Sequence, residues 1–535
     1  NSALEETDFQ LEYEFNSTSR YHLEGSINDA MMADIFLIVG LMFFFFIVIM
    51  LLAYRSWFAM LYLIGIVGLS MGLSLFVYML VDAPLNLISV MIIPVTVVLS
   101  AANAVHLLTG FFSQDKALSN IERIKIAYQK YFLPSLLTSF TTSIAFFSLC
   151  FNETGSVSTL GWITGVSILL SFMACYAVSP FLFQFAPAKQ LIKHKFLDIS
   201  DFFIKRKKAF SFILMPILLI AIVLLPKLTF KNNFELFIPI GSKEQIEQDQ
   251  IRNNYFSQAT LDVLVDLQDT MNVAERTIVL KKELEGLEDV VSVRCAERNS
   301  IIMTKFFMPV DIAKVTGYNE KFTKQNGQLQ RFQIGVKNPD DLSKLELNID
   351  KLMAEKSGIT HLVASVVLTY QNVNTAVGKS LIYSLVTSTL VLFLVFFFLT
   401  RSFPQSLIGL FVNLVPLSLI VIIFVGFDLH LNILTAITAV VCLGIIVDDT
   451  IHSFYRRVVR KKPLGELSFG MLTTTLILVV GFGIFSISNI RPVGIFGGVA
   501  AIIFIVTLIS DFTLLLYLID LYDKYLAKKE KNKVN

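Results

Sequence analysis

Eleven apolar stretches, each long enough to cross the hydrocarbon core of a bilayer, run through this chain of 535 residues. About 20 predominantly apolar residues in a helix span about 30 Å of hydrocarbon. The composition agrees, because 55% of the residues are apolar, 16% are charged and the mean hydropathy is +0.67. A soluble domain of this size needs a more polar surface. The sequence therefore predicts a polytopic α-helical membrane protein. Its predicted spans are 34–54, 57–80, 88–112, 133–151, 159–185, 209–226, 380–399, 406–427, 433–454, 471–488 and 495–518.

Charge and cysteine content argue against several classes of protein. The net charge is +2, which implies no nucleic-acid partner. Of four cysteines, three lie in apolar stretches and Cys295 stands in the large polar segment, without a CxxC motif or a Cys/His cluster. Neither a disulfide framework nor a metal site is therefore predicted. Since the sequence has no nucleophile–base pair and no nucleotide-binding loop, we expect neither a cofactor nor an enzymatic activity.

The loops between the spans alternate sharply in basic residues. Arg55 and the basic runs 116–130, 189–208 and 456–462 lie on one side, whereas the opposite loops carry a single arginine, Arg491. Loops rich in lysine and arginine stay in the cytoplasm. The pattern predicts a multi-pass protein of the bacterial inner membrane, with its large polar segment in the periplasm.

The two halves of the chain resemble each other. With the numbering shifted by 346, they align without a gap from Asn28 and Asn374 to His106 and His452. Matching dipeptides along this alignment are Arg55-Ser56 with Arg401-Ser402 and Leu85-Asn86 with Leu431-Asn432. Both members of each pair lie at the same span boundary, so the sequence predicts a two-fold internal repeat.

Spans and repeat together predict seven segments. These are 1–33 as the end of a first periplasmic domain, 34–185 as a first transmembrane repeat of five spans, 186–208 as a cytoplasmic linker, 209–226 as a lone span that opens the second repeat, 227–379 as a periplasmic α/β domain, 380–518 as a second transmembrane repeat of five spans, and 519–535 as a basic cytoplasmic tail. Residues 8–15 resemble the last strand of a domain equivalent to 227–379. We therefore expect a longer parent chain with twelve spans.

The polar segment alternates strand-like and helix-like patterns. A first unit has a strand at 261–267, a helix at 273–284 and a strand at 290–294. A second unit has a strand at 331–336, a helix at 339–356 and a strand at 361–368. Two β-α-β units of this kind predict two small split domains.

Two adjacent acids, Asp448 and Asp449, lie inside a predicted span. Each would cost roughly 2.5–3.5 kcal/mol in the middle of a bilayer, so it must face the interior of the bundle and be paired, hydrated or protonated. Burial disfavours the ionised form of a carboxyl group, which suits a site that loads and releases protons. The alternative is a solvated, structural pair near the cytoplasmic end.

The stretch from Gly444 to His452 resembles the GxxxDD element of the resistance–nodulation–division (RND) superfamily, especially its MMPL/Patched-like prokaryotic exporters. Residues 233–239 resemble the opening of the porter domains of these exporters, and the order of span, domain and five spans is similar over essentially the whole chain. The resemblance implies an RND-like fold with a porter domain at 227–379. It also implies that Asp448 and Asp449 couple proton movement to export.

The first repeat departs from this pattern. Opposite Asp448 and Asp449 it has Ala102 and Asn103, so a second proton site there is not expected. Asn103 is either a hydrogen-bond partner of the carboxylates across the repeat interface or an ordinary packing residue.

Hydroxyl and imidazole groups near the acids are further candidates. Thr473, Thr474 and Thr475 open the next span and could act as relay partners, although such hydroxyls commonly bond to helix carbonyls. His106 and His452 lie one turn further toward the cytoplasm. Interaction with the dipole at a helix C-terminus is favoured over proton relay for both.

Three functions follow from these features. The leading hypothesis is a proton-motive-force-driven RND-type exporter of a lipid or another hydrophobic or amphiphilic substrate. The alternatives are a SecDF-like auxiliary of protein or lipoprotein export and a non-transporting lipid sensor or scaffold. Expected partners are the membrane, a hydrophobic substrate, periplasmic or other envelope proteins and further copies of the chain, but no nucleic acid.

Overall fold

A computed structural model describes residues 20–81, 91–151, 155–187, 196–229, 237–243, 245–246, 259–267, 273–295, 301–303, 309–311, 323–324, 329–336, 342–356, 359–364 and 366–534. The chain divides into two compact units, one of Gly25–Asn232 with Asn374–Asn535 and the other of Asn1–Glu24 with Asn233–Val373. The helices are α1 (Arg20–Tyr54), α2 (Trp57–Val81), α3 (Ile92–Phe112), α4 (Asn120–Ser148), α5 (Gly155–Phe183), α6 (Phe196–Lys205), α7 (Lys207–Leu224), α8 (Val273–Glu285), α9 (Leu342–Ala354), α10 (Val366–Thr400), α11 (Phe403–Leu417), α12 (Leu419–Gly426), α13 (Ile433–Phe454), α14 (Leu467–Ile484), α15 (Arg491–Ser510) and α16 (Leu516–Val534). The strands are β1 (Ala259–Asp266), β2 (Val290–Arg294), β3 (Ile301–Met303), β4 (Pro309–Asp311), β5 (Thr323–Lys324), β6 (Leu329–Val336) and β7 (Thr360–Ala364).

The larger unit is a helical bundle. Within the described residues, eleven helices are long and apolar enough to cross a membrane. They coincide with the eleven predicted spans, with α11 and α12 forming one span and α15 continuing into α16 in another. The prediction of a polytopic helical membrane protein is confirmed.

Several helices extend well beyond the predicted spans. α1 begins at Arg20 and α10 at Val366. The additional residues at the start of each helix include many polar ones, so a prediction based on the length of an apolar run does not include them. Within the predicted domain segment 1–33, residues 20–33 form the first turns of α1. The strand predicted at 361–368 is shorter, since β7 ends at Ala364. The strand predicted at 8–15 lies outside the described residues.

Local features of the first helices recur 346 residues later. α1 and α10 each contain 35 residues, and both start and end 346 positions apart. Arg55 (φ 48°) and Arg401 (φ 50°), which follow them, both adopt the left-handed conformation. The same turn therefore joins the first two helices of each half.

A close helix contact also occurs twice. A Cβ on Gly161 of α5 would overlap with the carbonyl oxygen of Phe146 at the end of α4. A Cβ on Gly497 of α15 would overlap in the same way with the carbonyl oxygen of Phe482 in α14. Both pairs of helices consequently depend on a glycine at the same place.

Among the described residues, the smaller unit contains a five-stranded antiparallel sheet of strand order β2-β6-β1-β7, in which β5 pairs with β6, and a two-stranded antiparallel sheet of β3 and β4. The register of β1 and β6 runs from Ala259 opposite Val336 to Asp266 opposite Leu329. Each predicted β-α-β unit thus places a strand of the other unit between its own two strands, which is a split β-α-β arrangement. The prediction of two small split domains is wrong, because this interleaving buries both units in a single core.

That core lies between the sheet and its two helices. Alternate residues of β1 point into it, and α8 and α9 contribute apolar residues at helical spacing. Its buried members include Leu261, Val263, Val265, Leu280, Leu284, Leu345, Ile349 and Met353. Because these two spacings are visible in the sequence, the main strands and both helices of this unit could be predicted from neighbouring residues alone.

Candidate functional site

The candidate site lies on α13, which packs against α4, α11, α14 and α15. Together with α3 it is the most completely buried of the candidate spans. The helix begins at a capping box in which the Asn432 side chain accepts from the amide of Thr435. The acids therefore lie in the interior of the bundle rather than against lipid.

A glycine one turn before the acids brings α13 close to α4. A Cβ on Gly444 would lie 3.0 Å from the Cβ of Ala145, and the hydroxyl of Thr142 donates to the carbonyl oxygen of Gly444 at 2.6 Å. α3 and α14 form the corresponding pair of helices, but there the glycine is on the other helix of the pair: Gly481 of α14 faces Val98 of α3. A small residue on one of the two helices permits the approach in each case.

His106 of α3 lies against both carboxylates. Its Nε2 is 3.4 Å from Oδ2 of Asp448 and 3.4 Å from Oδ1 of Asp449. His452, on α13 itself, places Nε2 3.7 Å from Oδ1 of Asp448. The two imidazole rings stack with centroids 4.2 Å apart and an angle of 17°, so two acids and two histidines form one continuous cluster.

Two of the three candidate threonines reach this cluster. Thr474 donates to Oδ1 of Asp449 at 3.3 Å, and Thr475 donates to Oδ2 of the same residue at 3.2 Å. Thr473 donates to the carbonyl oxygen of Phe469 at 2.9 Å. Its hydroxyl thus satisfies the helix backbone, as such groups commonly do.

Asn103 reaches toward the cluster from the first half. Its amide donates to Oγ of Ser139 at 3.2 Å. With Asp448 and Thr138 it lines a cavity of about 20 Å³, which is large enough for one water molecule. A water-mediated link from Asn103 to Asp448 therefore fits the geometry, whereas the amide's own bond goes to Ser139.

The first part of this bundle resembles a known protein family. The sequence profile of the MMPL family matches residues 24–200. Over these residues, the chain is similar to the MMPL family. The match covers about a third of the chain, and no curated protein matches it.

The MMPL family consists of RND-type transporters of hydrophobic substrates, in agreement with the class implied by the aspartate motif. The matched part of the chain includes α1 to α5 and contains His106 and Asn103. Asp448 and Asp449 lie outside it. The MMPL-family match therefore supports the class of protein independently of the acids.

Sequence reasoning assigned His106 to the helix dipole, but the structure places it closest to both acids. The sequence contained one indication of this position: the 346-residue offset pairs His106 with His452, which lies one turn after Asp448. Asp511 was missed altogether, although it is an acid within the apolar run 495–518. It is fully buried and accepts a hydrogen bond of 2.7 Å from Thr450, the neighbour of Asp449.

One group of side chains in this helical bundle has the composition of a metal site. Ligating atoms of His106, Asp448 and His452 all lie within 4.8 Å of one another, and two imidazoles with a carboxylate are typical zinc ligands. The rings, however, stack almost parallel, so their nitrogen lone pairs do not converge on one point. This arrangement suits proton exchange better than chelation.

A cavity of about 420 Å³ extends from His452 toward the basic end of the bundle. Tyr131, Lys130 and Arg456 contribute to its walls. Glu466 accepts from Lys130 at 2.6 Å and from both terminal nitrogens of Arg456 at 3.0 Å. These two cations hold the pKa of Glu466 at about 2, so the ion pairs persist and tie α4 to the start of α14.

Proposed function

We propose that this protein is a transporter that uses the proton-motive force to export a lipid or another amphiphile from the bacterial inner membrane. The observation that carries the proposal is the buried cluster of Asp448 and Asp449 with His106 and His452. Ionisable groups inside a span are costly and generally mark ion or substrate pathways. Their position in the centre of eleven spans supports a transport role.

The cluster can pass protons between its members. Both acids lie within about 3.7 Å of an imidazole nitrogen, so a proton needs only a small movement to change partner. Interacting groups of this kind titrate as a unit rather than one by one. Each proton moved inward through 100 mV supplies about 2.3 kcal/mol, which is available for a conformational change.

We further propose that the bundle is a two-fold repeat with one active proton site. Asn103 and Asp449 occupy equivalent positions at the 346-residue offset, and each bonds to a hydroxyl of the following span, Ser139 or Thr475. His106 and His452 are likewise equivalent and stack on each other, as residues beside a pseudo-two-fold axis would. The amide at Asn103 cannot titrate, so the second repeat supplies both acids of the proton site.

The cavity below His452 supplies a route for protons. It links this histidine to a basic end of the bundle that includes Lys130, Arg456 and Lys462. Basic ends of membrane proteins are cytoplasmic. Protons would therefore reach the cluster from the periplasm and leave through this cavity into the cytoplasm.

Orientation is testable by labelling single cysteines in intact cells. Glu288→Cys, in the exposed turn before β2, is expected to react with a membrane-impermeant maleimide, and Lys528→Cys on exposed α16 is expected to react only after lysis. Native Cys295 is buried and contributes little background. Labelling of Lys528→Cys in intact cells would contradict the proposed orientation.

The transport function is tested in proteoliposomes that contain a fluorescent phospholipid. An inward proton gradient is expected to accelerate movement of the lipid between leaflets or to an acceptor, and a protonophore should remove the acceleration. Equal rates with and without the gradient, across phospholipids and lipoprotein acyl groups, would contradict proton coupling. That result would favour a sensor or scaffold.

A further inference from the structure

Asp511 is a buried acid that the cluster described above does not include. It is fully buried and opens the π-helical segment Asp511–Leu515 that joins α15 to α16. Short π-helical segments occur frequently at functional sites. An acid at such a point in a transmembrane span is a candidate functional residue.

Three oxygen-bearing side chains from three helices meet at this point. The hydroxyl of Thr450 lies 2.7 Å from Oδ1 of Asp511 and 3.2 Å from Oδ1 of Asn413. One hydroxyl proton can serve only one of these two acceptors. The group therefore has more acceptors than donors, which is the condition in which a bound cation is stabilising.

The charge of Asp511 has no compensation among the described residues. Its Oδ2 has no hydrogen-bond partner there, and the charged groups that act on it are Asp448 and Asp449 of α13, both acidic. An ionised carboxylate in a span is energetically costly, and one hydroxyl donor offsets only part of this cost. Neutralisation by a small cation removes it.

We propose that Asp511, with Thr450 and Asn413, is a second cation-binding site, which takes up and releases a proton. Na⁺ also neutralises a carboxylate among oxygen ligands, so the shared chemistry is a small monovalent cation. Thr450 directly follows Asp449, so a rotation of α13 that moves the acid pair also moves the hydroxyl bonded to Asp511. This linkage rests on the proposed function, whereas cation binding by Asp511 does not.

Infrared difference spectroscopy of the full chain in lipid tests the site without a known substrate. The spectrum of the unsubstituted protein minus that of Asp511→Asn is expected to contain the carbonyl band of one protonated carboxyl group in acidic buffer, and to lose it in alkaline buffer. Loss at lower pH in NaCl than in KCl would identify Na⁺ as a competing cation, and equal loss would identify the proton alone. A difference spectrum without a titrating band would overturn the proposal.

Asp34 supplies the matched control, because it is also a buried acid of the bundle. Its carboxylate accepts from the hydroxyl of Ser488 and from the backbone and side-chain nitrogens of Asn489. Asp34→Asn thus removes a buried carboxyl group outside the proposed site and should leave the Asp511 band unchanged. Thr450→Val leaves Asp511 in place and should shift the pH at which its band is lost, which keeps the proposal testable if Asp511→Asn does not fold.

The two proposals fail separately. A missing Asp511 band together with loss of transport in variants of Asp448 and Asp449 overturns only the second site. A titrating Asp511 band together with unchanged transport in those variants overturns proton coupling by the acid pair and leaves the second site standing.

Discussion

Replacement of both Asp448 and Asp449 by asparagine is expected to abolish proton-driven transport while the protein still inserts at a near-normal level. Asparagine keeps the size of the side chain, and its carbonyl oxygen can still accept from Thr474 or Thr475, which now bond to Asp449. It removes the titrating groups. Transport then loses its energy source, which is roughly 2.3 kcal/mol for each proton that moves through 100 mV. We expect a loss of about 100-fold or more, similar to the removal of a proton-transfer group from an enzyme.

The measurement is gradient-dependent lipid movement in proteoliposomes, with complementation of a deletion strain as the test in cells. Glutamate at either position should preserve part of the activity, because it retains a titrating carboxyl group. Asp34→Asn is the control for loss of a buried acid outside the cluster. Full activity of the double asparagine variant would mean that these acids do not couple protons, and full complementation without transport would support a sensor.

Substitution of His106 by glutamine should reduce transport almost as strongly, by about 100-fold to 10,000-fold. His106 is completely buried and lies 3.4 Å from each of the two acids, so it is the group best placed to exchange a proton with either. Glutamine keeps a donor and a similar length, but it cannot carry a proton at any accessible pH. The pH dependence of transport should change together with its rate.

His452 provides the comparison for this prediction. It contacts only Asp448, at 3.7 Å, and also lines the cavity toward the basic end. His452→Gln should therefore slow transport less than His106→Gln, since water in the cavity can replace it as a proton carrier. His361→Gln in the α/β unit serves as the control for loss of a histidine. Normal transport with His106→Gln and none with His452→Gln would reverse the roles assigned here.

Local sequence properties determined the membrane spans and most of the secondary structure of this protein. Apolar length predicted all eleven spans, and insertion cost identified Asp448 and Asp449 as interior residues, because both depend only on neighbouring residues. Alternation and helical spacing likewise predicted the main strands and both helices of the α/β unit. Helix ends were less predictable, since the polar turns of α1 continue by backbone hydrogen bonding that hydropathy does not measure.

Tertiary packing decided which residues meet. His106 is far from Asp448 in the chain, and Asp511 is bonded to Thr450 across another span boundary. Their approach depends on how the helices pack around α13, where Gly444 removes the side chain that would hold α4 away. The same reason explains the single interleaved sheet, since strand order follows from burying one shared core. The sequence by itself determined the spans and the acid pair, while the packing of distant helices brought the pair into one buried cluster with two histidines.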